Sequence, residues 1–452
     1  MANIAPFRAL RYDAERVFLP QVVTQPYDKI TEVMQERYYA ASPYNLVRII
    51  LGKREPADNM HQNVYTRAAS FFLDWRRQGI FFQDPEPSIY AYSQHFTMPG
   101  GEGESERRGF IALGRVEDYS AGIVFRHEQT LAKPKADRLD LLRATRAHFG
   151  QIFMLYSDTG EIEALLMPHT PPEMEVTDEH GVLHRVWKIS DPGVINLIRS
   201  KMRDKKLIIA DGHHRYETAL NYRNERQSTA AAAAGGGAPR EHTPATALLR
   251  PSDGEDAPYE MAMMTFVNMN SPGLAILPTH RVIHGLPSFS AESLSAGARA
   301  YFEVEEVDVS INPGRAVGIL RRAGHSGTAL LAVTASRISL MHSPKTIGSQ
   351  VFAGLSLRQQ ALDVLQLHKC LLEGVLGISQ EAIRNQQNVT YLRDAGEAMD
   401  LVRAGDAKVA FLMNPARIEQ VRDIAFAGEV LPQKSTDFYP KLLSGLTIYA
   451  LE

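Results

Sequence analysis

The stretch from Leu207 to Leu220 constrains the fold of this chain more than any other segment. It opens with the apolar run Leu-Ile-Ile-Ala (207–210), which predicts a short buried strand. Asp-Gly-His-His-Arg (211–215) interrupts this run, and Tyr216 and Ala219 then follow at helical spacing. The pattern predicts a strand, a tight turn and a helix, with the chemically active groups of the segment concentrated in the turn.

Each residue of this turn offers chemistry that active sites use. Gly212 permits backbone conformations that other residues resist, and the start of the helix favours an anion through its free N–H groups and its dipole. Arg215 is a permanent cation that suits phosphate or carboxylate. Asp211 can hold a metal ion or take a proton, and His213 and His214 can act as acids, bases or ligands. An Asp-Gly turn alone is common structural chemistry, but this clustering favours a functional site.

A second polar stretch runs from Arg126 to Leu139 and groups one candidate acid–base pair, His127 and Glu128, with several cations. Pro134 predicts a loop or the first turn of a helix. Such a loop suits the binding of phosphate, and a solvated charged loop leading into a helix over 137–147 is the structural alternative. The four cations are Arg126, Lys133, Lys135 and Arg138.

Three proline-containing segments are weaker candidates. Gln-Pro-Tyr-Asp (25–28) and Pro-Tyr-Asn (43–45) either form rigid loops that present Asp28 and Asn45, or turns in which those side chains bond local backbone. Leu-Pro-Thr-His-Arg (277–281) groups a hydroxyl, an imidazole and a guanidinium. For the first two segments, the spacing alone leaves the functional loop and the structural turn equally open.

Composition restricts the class of protein. The chain has 452 residues, of which 44% are hydrophobic and 22% charged, so we expect a globular protein of two or three domains. A net charge of −3 gives no support to nucleic acid or an anionic membrane as partner. No apolar run approaches the ~20 residues of a membrane span, and no signal peptide is evident, so we expect a cytoplasmic location. Cys370 is the one cysteine, and we expect it to be a small buried hydrophobe.

The order of the predicted elements indicates an α+β or mixed α/β fold, because strands and helices alternate irregularly over the first 225 residues. Residues 227–245 form a low-complexity Ala/Gly linker or insertion, whose alanines can extend the central helix. We therefore predict a nucleotide-binding or catalytic domain over 1–226 and a C-terminal α/β domain over 246–452. Within the latter, the apolar pattern predicts one long helix over about 357–373.

Several enzyme classes are excluded by the absence of their motifs. The chain has no dinucleotide fingerprint after a strand, no P-loop, no His-Glu-x-x-His and no Gly-x-Ser-x-Gly. Two chemistries fit the central turn. One is phosphoryl transfer, and the other is metal-assisted hydrolysis with Asp211, His213 and His214 as ligands.

The chain also resembles the bacterial family known as domain of unknown function 1015, over nearly all its length except the low-complexity insertion. This resemblance supplies little mechanism. It is carried by Gln-Pro-Tyr-Asp (25–28), Pro-Tyr-Asn-Leu-Val-Arg (43–48), the stretch from Arg126 to Ala144, Ala-Asp-Gly-His-His-Arg-Tyr-Glu-Thr-Ala (210–219), Leu-Pro-Thr-His-Arg (277–281) and Phe-Tyr-Pro-Lys-Leu (438–442).

The central turn is similar to a shorter motif of ParB-like nucleotide-binding domains, sulfiredoxin and the free-serine kinases of archaea, although the cysteine-containing turn of sulfiredoxin is absent. The resemblance implies a ParB/serine-kinase-like nucleotide-binding half. It further implies that Gly212 and Arg215 bind phosphate, and that Asp211 and His214 serve phosphoryl transfer or hold Mg²⁺. In the serine kinases a glutamate from an earlier segment is the base. Two residues are candidates for that role in this sequence, Glu128 and Asp28.

The leading hypothesis is a small-molecule kinase or related phosphotransferase that uses ATP or ADP with Mg²⁺ and has free serine as its acceptor. In this hypothesis Arg126, Lys133 and Arg138 close over the nucleotide phosphates. Two alternatives stay open, a metal-dependent hydrolase centred on Asp211, His213 and His214, and a ParB-like nucleotide-binding module without turnover. The sequence leaves the oligomeric state undecided.

Overall fold

The computed structural model describes residues 1–101, 103–128, 132–167, 170–234, 256–345 and 350–452, with only the backbone described at 132–134 and 233–234. The described residues form two compact units. The first unit comprises Met1–Arg126, Thr130–Leu274 and Pro440–Glu452, and the second comprises His127–Gln129 and Ala275–Tyr439, each without the residues outside the described ranges.

The strands of the described residues are numbered in chain order. They are β1 (Ile4–Ala5), β2 (Leu10–Tyr12), β3 (Phe81–Gln83), β4 (Ile89–Thr97), β5 (Glu104–Arg115), β6 (Val124–Phe125), β7 (Ala147–His148), β8 (Ile152–Tyr156), β9 (Met174–Thr177), β10 (Leu183–Ile189), β11 (Leu207–Asp211), β12 (Met261–Asn268), β13 (Ala275–Leu277), β14 (His280–Ile283), β15 (Glu303–Val307), β16 (Ala329–Val333), β17 (Ile338–His342), β18 (Val389–Leu392), β19 (Val409–Met413), β20 (Asp437–Tyr439) and β21 (Tyr449–Ala450).

The α-helices are numbered in the same way, and short 3₁₀ turns such as Tyr27–Lys29 lie between them. The helices are α1 (Glu32–Ala41), α2 (Val47–Ile50), α3 (Val64–Arg77), α4 (Ala132–Thr145), α5 (Glu161–Leu165), α6 (Pro192–Met202), α7 (His213–Ala234), α8 (Ala291–Ala298), α9 (Pro313–Gly324), α10 (Leu357–Gln360), α11 (Asp363–Gln366), α12 (Gln380–Arg384), α13 (Ala395–Ala404) and α14 (Ile418–Phe426).

A nine-stranded mixed sheet forms the centre of the first unit. Its order is β6-β11-β8-β12-β5-β4-β10-β9, with β1 paired to β5. Strand β11 is parallel to β6 and antiparallel to β8, and β12 is parallel to β8. The five residues of β8 are all buried, which explains why its sequence is apolar throughout instead of alternating. The mixed sheet and its helices confirm the predicted α+β fold class.

The close approach of two strands in this sheet depends on Gly109. A Cβ atom there would lie 2.3 Å from the carbonyl oxygen of Phe266 and 2.8 Å from Cγ2 of Val267. We expect Gly109→Ala to lower the free energy of unfolding by about 3 kcal/mol, because neither strand can move without disturbing the core. Gly318→Ala is the control, since its Cβ would meet only the end of the Arg322 side chain at 3.7 Å.

Urea denaturation of both variants checks this expectation. The control lies inside helix α9, where alanine is favoured over glycine by up to about 1 kcal/mol. Equal stability of the two variants would show that the strands have room to separate at Gly109.

The second unit contains a six-stranded antiparallel sheet of order β15-β17-β16-β19-β14-β18. Adjacent residues of its strands face opposite sides, as expected for a pleated strand. Leu330 belongs to one hydrophobic cluster together with Cys370, whereas Leu331 belongs to another together with Leu320 of α9 and Met399 of α13. The sheet is therefore covered by a hydrophobic layer on each face.

The prediction of one helix over 357–373 was wrong. The segment contains α10, α11 and a π-helical stretch at Leu367–Glu373. Leu362 is extended, with φ −85° and ψ 126°, which separates α10 from α11. The apolar residues from Leu362 to Leu372 are all buried in one cluster and therefore resemble a single helix in sequence, whereas Leu357 of α10 is 83% exposed. Cys370 is buried as predicted, and burial raises the pKa of its thiol to about 12.

The structure bears on the predicted insertion and on the predicted domain limits in different ways. Helix α7 does continue through the alanine run to Ala234, and the rest of the predicted 227–245 insertion lies outside the described residues. The division into domains over 1–226 and 246–452 stays a prediction. In the structure, β12 pairs with β5 and β8 within the sheet of the first unit. Among the described helices, none has both the length and the apolar character needed to cross a membrane.

Candidate functional site

The strand, turn and helix predicted around Asp211 are present in the first unit. Strand β11 ends at Asp211 and α7 begins at His213. Gly212 between them has a φ of +89°, in the left-handed region that favours glycine. A Cβ at this position would lie 2.9 Å from Nε of Arg215, so the guanidinium lies directly against the glycine. Gly212 is thus required both for the turn and for the position of Arg215.

The Asp211 carboxylate is held by several donors. Oδ1 accepts a hydrogen bond from the backbone N–H of Gly212 at 2.7 Å, and Oδ2 accepts one from Nζ of Lys441 at 3.0 Å. Nη2 of Arg215 lies 3.8 Å from Oδ1. Burial acts to raise the pKa of Asp211, but Lys441, Arg215 and Lys29 together hold it far below its usual value. Asp211 is therefore an anion at every physiological pH.

Arg215 retains hydrogen-bonding capacity. Nη1 donates to the backbone oxygen of Gln151 at 2.6 Å, and this is its one hydrogen bond within the described part of the chain. Its contact with Asp211 at 3.8 Å is an ion pair without a hydrogen bond. Nε and Nη2 can therefore donate to a bound anion, and a guanidinium presents these two groups in a fork that matches carboxylate or phosphate.

The two histidines of the turn differ in their surroundings. His213 is buried, and His214 is partly buried. Burial lowers the pKa of His214, Lys135 and Arg215 reinforce this, and the opposing effects of Glu217 and Asp28 do not reverse it. His214 is therefore mostly uncharged at pH 7 and able to accept a proton.

Two of the three cations predicted to close over the phosphates, Arg126 and Arg138, have described side chains. Glu217 accepts a hydrogen bond from Nζ of Lys135 at 2.7 Å, and Nη1 of Arg126 lies 4.0 Å from Glu217. Arg138 is bonded to Asp137 and lies over the ring of Tyr27 at 4.2 Å from the ring centroid. Arg126 and Arg138 thus belong to the first unit with the turn. The side chain of Lys133 lies outside the described residues.

The two candidate bases lie in different units. Asp28 is exposed on the 3₁₀ turn Tyr27–Lys29 of the first unit, near enough to His214 to influence its pKa. Glu128 belongs to the second unit, where its Oε1 accepts a hydrogen bond from the backbone N–H of Lys434 at 2.9 Å. Its neighbour His127 is hydrogen bonded to Thr436 in the same unit at 2.8 Å. Their roles as catalytic residues stay predictions.

The other proline-containing segments have structural contacts. Asn45 is buried, accepts a hydrogen bond from the backbone N–H of Val47 at 2.9 Å and donates one to the oxygen of Gln21 at 2.8 Å. This agrees with the turn interpretation of that segment. Arg281 is buried in the second unit, where it donates to the backbone oxygen of Lys434 at 2.9 Å.

Sequence reasoning missed the partners of Asp211. Lys441 and Lys29 were not predicted as site residues, and neither was Gln151, which accepts from Arg215. Lys441 is 230 residues from Asp211, so no local pattern connects them. The signal available in the sequence is the segment Phe-Tyr-Pro-Lys-Leu (438–442), which contributes to the family resemblance but does not indicate a role for its lysine.

No three histidine, cysteine, aspartate or glutamate side chains come together as a metal-ligand group in the described parts of the chain. Asp211, His213 and His214 are thus not arranged as a ligand set in this conformation. Asp211 is instead surrounded by cations, which would repel a divalent ion approaching it.

Comparison with known proteins identifies the family. The family model described as protein of unknown function (DUF1015) matches residues 4–365, and the chain belongs to this family. No curated protein matches the chain.

Three solved structures illustrate the similarity to known folds. A conserved hypothetical protein from Pyrococcus furiosus has 12% identity and a TM-score of 0.33, with 72% of this chain and 91% of that chain covered. A free serine kinase in complex with AMP has 12% identity and a TM-score of 0.34, with 72% and 89% covered. SbnI with a C-terminal truncation, from Staphylococcus aureus, has 10% identity and a TM-score of 0.32, with 75% and 87% covered.

Proposed function

We propose that this protein is a small-molecule phosphotransferase that binds a nucleoside phosphate at the turn 211–215. The observation that carries this proposal is the charge around Asp211. Three cations, Lys441, Arg215 and Lys29, surround one carboxylate at the start of a long helix. The excess of positive charge and the free N–H groups of the helix terminus together favour a polyanion.

The proposed ligand is ATP or ADP, and free serine is the proposed acceptor. Both follow from the similarity of the turn to the nucleotide-binding motif described above. Arg215 supplies the forked donor for a phosphate, and Gly212 gives the guanidinium the room to lie against the turn. Arg126, whose Nη1 lies 4.0 Å from Glu217 of α7, and Arg138 are the proposed extension of this phosphate site.

Magnesium fits this site only together with a nucleotide. Mg²⁺ is commonly held by one or two carboxylates, water and substrate phosphates rather than by a cage of protein ligands. Asp211 offers one carboxylate, and both of its oxygens accept hydrogen bonds from the protein. Each oxygen keeps a second lone pair, so Asp211 would be the protein ligand of a magnesium ion that is bound with the phosphates and neutralises part of their charge.

The transfer step assigns a role to a base. The hydroxyl oxygen of the acceptor bonds to the terminal phosphorus, and the bond from phosphorus to the bridging oxygen breaks with its electron pair on the departing nucleotide. The hydroxyl proton passes to a carboxylate or imidazole. Asp28 in the first unit and Glu128 in the second stay the proposed bases, and His214 is in the protonation state to receive the proton.

The two alternatives differ from this proposal in measurable ways. A metal-dependent hydrolase would need a ligand set that the described residues do not bring together. A ParB-like nucleotide-binding module would bind nucleotide without forming product. Incubation with ATP or ADP, Mg²⁺ and serine, followed by detection of phosphoserine, distinguishes the proposed kinase from such a module.

Thermal stability with nucleotides tests the binding part of the proposal. A nucleotide at a hundred times its dissociation constant should add about 2.7 kcal/mol to the stability of the wild type in the presence of Mg²⁺. Arg215→Ala should abolish this increase, because it removes the donors that face the phosphate. Arg226→Ala, about three turns further along α7, is the matched control and should keep the full increase.

Two results would contradict the proposal. One is a wild-type protein that no nucleotide stabilises. The other is an Arg215→Ala variant that nucleotides stabilise as much as the wild type. Stabilisation by Zn²⁺ or Mn²⁺ alone, without any effect of nucleotides, would favour the hydrolase.

A further inference from the structure

A small cavity in the first unit shares Arg215 with the turn. Its volume is about 70 Å³. A buried water needs roughly 10–15 Å³ on this measure, and a cavity of about 150 Å³ holds benzene. The cavity therefore has room for a group of a few heavy atoms, but none for a nucleoside.

One wall of the cavity is apolar, and the other carries hydrogen-bonding groups. Leu142, Ile50 and Phe149 contribute to the apolar wall. Hydroxyl groups of Thr218 and Ser444 contribute to the polar wall. A ligand for this space needs a polar end of a few atoms and a short apolar part.

The Thr218 hydroxyl points to a missing ligand. Thr218 is 4% exposed, and its Oγ1 has no hydrogen-bond partner among the described residues. Leaving a buried hydroxyl unpaired costs about 1–3 kcal/mol, so such groups usually meet a ligand or an ordered water. Because Thr218 lines the cavity one turn after Arg215, the two side chains can serve the same bound group.

The charge of the cavity indicates a monoanion. Two guanidinium groups line it, and that of Arg138 is paired with Asp137. The other belongs to Arg215, whose nearest carboxylate also pairs with Lys441. Burial lowers the pKa of His148 in the cavity wall to about 4, so this imidazole is uncharged at neutral pH. The two guanidinium groups of the cavity thus leave about one positive charge without a carboxylate of its own.

We propose that the cavity binds the carboxylate of a small organic acid, with the hydroxyl of Thr218 and the Nη1 group of Arg215 as its donors, since Nη1 lies on the side of the cavity residues Gly150 and Ser444. A carboxylate has three heavy atoms, and its two oxygens can accept from a hydroxyl and from one guanidinium N–H group at the same time. A phosphate dianion would lose more hydration against Leu142 and Ile50, with one unpaired positive charge to compensate. This inference rests on the proposed function, in which the bound acid is the phosphoryl acceptor. The acceptor then carries a carboxylate in addition to the hydroxyl group that is phosphorylated.

Calorimetric titration of the full chain tests the cavity directly. The probes are L-serine, D-glycerate and propionate, with glycerol as the uncharged control and inorganic phosphate as the competing anion. We expect the carboxylates to bind the wild type and glycerol not to bind. Thr218→Val should weaken carboxylate binding about tenfold or more, because a hydrogen bond to a charged group is lost.

Two further variants distinguish ligand binding in the cavity from nucleotide binding at the turn. Leu142→Phe fills the cavity and should abolish carboxylate binding, while nucleotides still stabilise the variant. Thr229→Val, on the exposed end of the same helix, is the matched control and should bind like the wild type. Melting of unliganded Thr218→Val verifies its folding, which should not suffer because the removed hydroxyl has no partner.

Each outcome has one meaning. Nucleotide stabilisation of the wild type without carboxylate binding overturns the cavity proposal and leaves the proposed function in place. Carboxylate binding without any nucleotide effect supports the cavity and overturns the phosphotransferase. Binding of inorganic phosphate but of no carboxylate overturns the assignment, as does carboxylate binding that Leu142→Phe leaves unchanged.

Discussion

Asp211→Asn is expected to reduce turnover by about 10²–10⁴-fold while nucleotide binding is kept, which is the range for loss of a group that assists proton or charge transfer. Asparagine can still accept the hydrogen bond from the N–H of Gly212, so the turn should keep its shape. The substitution removes the one negative charge among Lys441, Arg215 and Lys29. Nucleotide without Mg²⁺ should therefore bind at least as tightly as to the wild type, and the loss of the carboxylate ligand of Mg²⁺ should appear in turnover.

The measurement is kcat for phosphoserine formation together with the nucleotide-induced increase in stability. Asp118→Asn is the control, because Asp118 also pairs with an arginine of α7 but is largely exposed. Arg215→Ala should show the opposite pattern, in which the nucleotide-induced increase in stability is lost. An Asp211→Asn variant with wild-type turnover would remove Asp211 from the catalytic residues, and loss of nucleotide binding would reassign it as a binding residue.

Lys441→Met is expected to lower the free energy of unfolding by about 3 kcal/mol, because it leaves the partly buried Asp211 carboxylate without its hydrogen-bonded cation. Asp211→Asn in addition should recover part of this loss, since no carboxylate then needs a partner. Lys53→Met is the control. Its pair with Glu36 is exposed, so the expected loss is below about 1 kcal/mol.

The effect of Lys441→Met should depend on pH. The pKa of Asp211 is lowered on folding, so the carboxylate stabilises the wild type above its unfolded pKa of about 3.9, and this contribution is lost as the pH falls towards the lower folded value. Without Lys441 the folded pKa rises, and less of this stabilisation remains at any pH above 4. Denaturation curves from about pH 2 to pH 7 measure it, because the difference between variant and wild type should be constant well above pH 4 and should shrink as the pH falls below about 4. Identical curves for variant and wild type would show that Arg215 and Lys29 suffice.

The central turn could be predicted because its determinants are local. The apolar strand, Gly212 and the helical spacing all lie within fourteen residues, and the contact between Gly212 and Arg215 spans only three. Helix α3 has determinants of the same local kind, because Asn63 caps its first turn and Ala68, Phe72 and Trp75 are buried at helical spacing. Local chemistry is sufficient where the contacts are local.

Other parts could not be predicted because they depend on distant residues. The pairing of Asp211 with Lys441 joins positions 230 residues apart. The break at Leu362 could not be predicted from the apolar pattern, because Leu362 and the apolar residues that follow it to Leu372 are buried in one cluster. Similarly, the cavity beside Thr218 arises from side chains of α2, α4 and α7 that only the tertiary structure brings together.

The return of the chain to the first unit at Pro440 has a consequence for biosynthesis. Ser444 pairs with Thr24, Ile448 with Leu10, and β21 with β7, so this segment is fastened to elements made long before it. At about 5–20 residues per second, the ribosome adds Lys441 roughly 10–50 s after Asp211. During that interval the carboxylate lacks its lysine and the cavity lacks Ser444. The nascent chain therefore has an incomplete site, which can form fully only after the residues of the second unit have been translated.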